Sequence, residues 1–129
     1  MAITPFEDNK KVTNIILNDP YIQSLGFTEN YTYNTNTTDE LIEAGNKQIF
    51  IYEAPSRGVA NSVNVQCVVQ IDGSAPLSQA STVKRAIEQI NALLQGVRLG
   101  NRSGMELDTM GDLSCPNGFY CKGIRFTYY

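Results

Sequence analysis

The sequence predicts a small single α+β domain over residues 1–129, with a mostly antiparallel sheet packed by two helices. Three observations carry that prediction. Residues 62–72 alternate apolar and polar with a period of two. Residues 83–94 repeat apolar side chains at helical spacing. The chain closes on a β-branched and aromatic run ending Arg125-Phe126-Thr127-Tyr128-Tyr129. The segments read in the order α-β-β-α-β-β. Two apolar helical stripes need one shared surface to bury against, and a sheet supplies it.

Thr4-Pro5-Phe6-Glu7 is a helix start: a capping hydroxyl, a proline at the first helical position and a glutamate three residues after the cap. Val12, Ile15 and Ile16 then form one buried stripe. Asp19-Pro20 interrupts that helix and begins a short second one, in which Tyr21, Ile22 and Leu25 are expected to cover the core before Gly26 ends it. Residues 28–40, rich in Asn and Thr, read as a polar exposed loop. Gln48–Glu53 reads as a strand and Pro55-Ser56-Arg57-Gly58 as its break. In the strand that follows, Val63, Val65, Cys67, Val69 and Ile71 share the buried face, which makes Cys67 a small hydrophobe.

Asp72-Gly73-Ser74-Ala75-Pro76 is expected to be a turn leading into the second helix. There Val83, Ala86, Ile87, Ile90, Leu93 and Leu94 face inward, Lys84, Arg85, Glu88 and Gln89 face outward, and Gly96 ends the helix. Met105–Leu113 can form a strand, Cys115-Pro116-Asn117-Gly118 a tight turn, and residues 119–129 the closing strand, with Tyr120, Ile124, Phe126 and Tyr128 on one face. Cys115 and Cys121, beside that turn, are expected to be more reactive than Cys67.

A chain of 129 residues is long enough for one core without metal or disulfide staples. The net charge of −3 gives no general pull toward nucleic acid or anionic membrane. No apolar run approaches the ~20 residues of a spanning helix, and MAITPFEDNKK lacks the apolar core of a secretory signal. The three cysteines are accordingly expected to be reduced thiols.

The sequence contains no histidine, no Cys-x-x-Cys pair and no P-loop. The first absence removes imidazole-based triads and most catalytic zinc sites. Carboxylates are the remaining acid–base candidates: Asp39, Glu40 and Glu43 in one group, and Glu106, Asp108 and Asp112 near the last hairpin. Glu106 and Asp108 are expected to share a strand face that solvent covers. The sequence therefore names no catalytic residue, no metal ligand and no cofactor site. Arg57, Arg98 and Arg102 lie in Gly-bearing loops, and Tyr129 ends the chain; Arg and Tyr are enriched at protein interfaces, so these four are the interface candidates. A nucleic-acid-binding or other adaptor module is the alternative, and a carboxylate-dependent hydrolase is a third reading.

The order of segments resembles the neck and tail-terminator (tail-completion) proteins of tailed bacteriophages. The residues that carry the resemblance are Asn18-Asp19-Pro20-Tyr21-Ile22, Ile49-Phe50-Ile51-Tyr52, Val69-Gln70-Ile71-Asp72, the helix ending Ile90-Asn91-Ala92-Leu93-Leu94-Gln95-Gly96, and Gly118-Phe119 through Gly123-Ile124-Arg125 to Tyr129. The resemblance implies a non-enzymatic virion protein assembled in the host cytoplasm. It would form a homo-oligomeric ring, usually a hexamer, at the head–tail junction. Its partners would be further copies of itself, the tail tube protein and the head connector or neck proteins. DNA would pass through the ring without specific binding, and no membrane would be involved.

Overall fold

The structure, a computed structural model, describes residues 5–27, 38–53 and 66–129. Its helices are α1 (Pro5–Leu17), α2 (Pro20–Ser24), α3 (Asp39–Ala44) and α4 (Ala80–Leu94). Its strands are β1 (Gln48–Glu53), β2 (Cys67–Pro76), β3 (Glu106–Leu113) and β4 (Phe119–Tyr128). The strands form one antiparallel sheet in the order β1-β2-β4-β3. The α+β class and the predicted order of the major segments hold, the short helix expected after Asp19-Pro20 is α2, and α3 is added. The capping residue Thr4, the loop residues 28–37 and the strand residues Val63 and Val65 lie outside the described residues.

Helix α1 places Val12 and Ile16 in the core. Asp19 caps α2, its carboxylate accepting from the Ile22 N–H at 3.1 Å, and Pro20 takes the first helical position. Ile22 is fully buried, but Tyr21 is 43% exposed and corrects the expected core set. A helix of five residues presents only one side to the core, and Tyr21 sits off it. Residues 38–40, expected to finish the polar loop, instead begin a helix: the Thr38 hydroxyl accepts from the Leu41 N–H and caps α3.

The largest correction concerns Asp72-Gly73-Ser74-Ala75-Pro76. These five residues continue β2, paired with β1 through Ser74 and with β4 to its end. Their turn-prone composition is overridden because β2 is a central strand with a neighbour on each side. Gly73 has its own reason to be there. A Cβ at this position would lie 3.2 Å from Val83 Cγ1 and 3.5 Å from Ile87 Cδ1, so glycine lets α4 settle close on the sheet.

Each face of the sheet carries its own cluster. On one, Ile49, Ile51, Val69, Ile71, Ala75, Ile124, Phe126 and Tyr128 meet Val83, Ala86, Ile87, Ile90 and Leu94 of α4 and the buried residues of α1 and α2. Helix α4 lies over β2 and β4, and α1 over β1. Gln89 Nε2 donates to Asp19 Oδ2 at 3.2 Å, which joins α4 to α2. On the other face, Ile42 of α3 packs with Phe50 and Cys121. That second cluster corrects the expected exposure of Cys121, which is 3% accessible, while Cys115 is partly buried. Cys67 sits on the helix-covered side as expected.

Candidate assembly surface

Strand β3 extends beyond the helix layer. Among the described residues it pairs with β4 alone, so its outer row of backbone N–H and C=O groups faces away from the sheet. All eight of its residues are exposed. Leu107 and Met110 stand opposite the core residues Phe126 and Ile124, but past the edge of α4, and remain 39% and 42% exposed. Leu113, on the other face opposite Cys121, is 40% exposed. Glu106, Asp108 and Asp112 give the strand three carboxylates and no cation. The register slips between Leu107 and Thr109, so Asp108 sits at a bulge and the alternation that would have aligned it with Glu106 is broken. Asp112 accepts from the Tyr120 hydroxyl, and the Lys84 ammonium lies 5.3 Å from the Tyr120 ring centre.

Beside β3, Gly111 and Gly123 face each other across the strand pair, and neither has a side chain to fill the space. The result is an open notch of about 320 Å³, lined also by Gln70, Thr109, Leu113 and Arg125. A Cβ on Gly123 would come within 2.7 Å of Gln70 Nε2 and 2.8 Å of Asp72 Oδ1, so this glycine is required by the polar groups next to it. Those groups form a relay across three strands. Tyr52 Oη donates to Asp72 Oδ2 at 2.8 Å, Gln70 Nε2 to Asp72 Oδ1 at 2.7 Å, and Arg125 Nε to Gln70 Oε1 at 2.9 Å. Both oxygens of the buried Asp72 carboxylate are thereby engaged, and the Gln70 amide is held with its oxygen toward Arg125. The guanidinium is fixed through its Nε at the wall of the notch, a geometry suited to an acceptor group on a docking partner.

The predicted interface residues occupy different settings. Arg57 lies outside the described residues. Arg98 is exposed in the loop after α4, and Tyr129 is exposed at the chain end, its N–H donating to Ser103 Oγ at 2.9 Å. Arg102 turns inward: its Nε lies 3.4 Å from Asp8 Oδ2, its side chain is 21% exposed, and its guanidinium sits 6.0 Å from the Tyr128 ring centre. Tyr128 Oη donates to the same Asp8 oxygen at 2.8 Å. This cluster ties α1 to β4 across most of the sequence.

Burial and the hydrogen bond to Asp8 push the Tyr128 phenol well above its usual range. Burial and the bond to Asp112 push Tyr120 up to about 12, and burial raises the Cys67 thiol. The unfolded chain releases these protons near 9.0 for Cys and 10.0 for Tyr, while the folded chain holds them. The unfolded state therefore binds fewer protons above that range. The stabilisation is complete below about pH 9 and is lost as pH rises toward the folded values. Denaturant midpoints measured at about pH 8, 10 and 11 are expected to fall in that order, with a shallower fall in Tyr128→Phe; a midpoint rising with pH contradicts this.

Sequence reasoning missed the Arg125–Gln70–Asp72–Tyr52 relay and the apolar trio of β3. The available signal was glycine inside two strand-like runs, at 111 and 123, which marks a bulge or a close approach. Among the described residues no three His, Cys, Asp or Glu side chains converge to hold a metal ion, and no helix is long and apolar enough to cross a membrane. The chain matches no protein-family model and no curated protein.

Proposed function

We propose that this chain is a structural subunit that assembles with copies of itself into a closed ring, with β3 as a principal contact and no catalytic role. In keeping with the resemblance to phage neck and tail-terminator proteins, the ring would sit at the head–tail junction, between tail tube and head connector, and pass DNA without binding it specifically. The observation that carries the reading is β3: a sheet edge exposed along its whole length, with Leu107, Met110 and Leu113 open to solvent. An exposed edge with apolar side chains is a template for protein contact.

The three carboxylates restrict who can make that contact. Two β3 strands brought together would oppose like charges. The exposed cations Lys11, Arg85 and Arg98 lie on α1, on α4 and in the loop that follows α4. Contact between β3 of one copy and the helix layer of the next is heterologous, the type that closes into a ring when its rotation allows.

Sedimentation velocity over a range of concentrations tests the reading. The wild-type chain is expected to self-associate, and the double variant Leu107→Asp, Met110→Asp to do so at least about tenfold more weakly, since buried interface anchors are typically worth 2 kcal/mol or more. Because both side chains are exposed in the single chain, thermal stability should change little. Identical association of the two proteins would overturn the role given to β3.

A further inference from the structure

We propose that Cys115 and Cys121 form a reversible disulfide site that locks the turn end of the β3–β4 hairpin. The pairing that ends β3, Leu113 opposite Cys121, holds the two strands at the ~5 Å separation of an antiparallel pair. Cys115 follows two residues later, and its thiol folds back over the turn, with Sγ 3.2 Å from the Phe119 carbonyl oxygen. There it packs against the Ile42–Phe50–Cys121 cluster. Cys67 is held apart from this pair, in the core cluster on the opposite face of the sheet. The geometry thus selects one pairing out of three.

The two cysteines also differ in access. Cys115 is partly exposed, whereas Cys121 is almost fully buried beneath it. The oxidant class is a low-molecular-weight disulfide. The Cys115 thiolate attacks one sulfur of that disulfide, forming a mixed disulfide and expelling one small thiolate. Cys121 gives its proton to the expelled thiolate and attacks Cys115 Sγ, forming the internal bond and expelling the second small thiolate, which takes up the proton Cys115 had released. Two protein thiols are oxidised and one small disulfide is reduced to two thiols. A reducing thiol reverses both steps. The bond would fasten β4 to the segment just past Leu113, at one end of the strand proposed for assembly, and its formation does not depend on assembly.

The test is oxidation of the native full chain with oxidised glutathione, followed by intact mass and peptide mapping under non-reducing conditions. The expected product has lost two hydrogens, carries no glutathione, and contains one cross-link joining the peptides of Cys115 and Cys121; a reducing thiol returns the starting mass. Cys121→Ser should instead stop at a glutathione adduct on Cys115, and Cys67→Ser should form the cross-link as the wild type does. A wild-type product that keeps glutathione on Cys115, links two chains together, or engages Cys67 would overturn the proposal. Should a variant fail to fold, the wild-type peptide map alone separates these outcomes.

Discussion

Ile87→Ala is expected to lower the stability of the folded chain by about 2–5 kcal/mol. Ile87 is fully buried at the centre of the α4 stripe, over Gly73, in the cluster that also holds Val69, Ile90 and Leu94. Truncation removes apolar contact and leaves a space that cannot readily close. The sheet beneath is held by strand pairing on both sides of β2, and α4 is already seated at close range over a residue without a side chain. Equilibrium denaturation in urea measures the loss. A change below about half a kcal/mol would mean that Ile87 does not face the sheet.

Asp8→Ala is expected to cost about 3 kcal/mol, near the lower end of the range for breaking a buried pair. The Asp8 carboxylate is fully buried and receives the Tyr128 hydroxyl, with Arg102 beside it. Its removal leaves the phenol without its acceptor and takes a carboxylate away from the neighbouring Arg102 guanidinium, and both losses fall on the folded state. Asp8→Asn should cost less, because the amide oxygen can still accept from Tyr128. Equal losses for the two variants would show that the charge, and not the acceptor, is what matters at this site.

Where a residue's surroundings repeat along one element, the sequence reads clearly. Cys67, Val69 and Ile71 point to the core because alternation in a strand is local, and Val83 through Leu94 do so because helical spacing is local too. The misreadings arise where neighbours distant in sequence decide. Asp72 through Pro76 looks like a turn, but two flanking strands hold it extended. Cys121 looks accessible beside its turn, but α3 brings Ile42 onto the second face of the sheet and covers it.

The candidate surface divides in the same way. The strand 106–113 was legible as a strand. Its position at the outside of the sheet, beyond the reach of α4, depends on strand order, which no single segment encodes. Arg98 and Tyr129 were legible only as interface candidates, from a loop position and the chain end, and both are exposed. Arg102 was not legible as an inward-facing residue, because its partner Asp8 is at the far end of the chain. Arg125 was hidden in a strand, and its position at the notch depends on Gln70 and Asp72 of a neighbouring strand and on the facing pair Gly111 and Gly123.

The central claim is that β3 makes this chain a ring-forming structural subunit. A cryo-EM map of an assembled particle containing the chain tests it most directly. The expected result is a closed symmetric ring in which β3 is covered by the adjacent copy, with Leu107 and Met110 out of solvent at the boundary. A particle in which the chain is present without a ring, or a ring in which β3 faces open solvent, would contradict it.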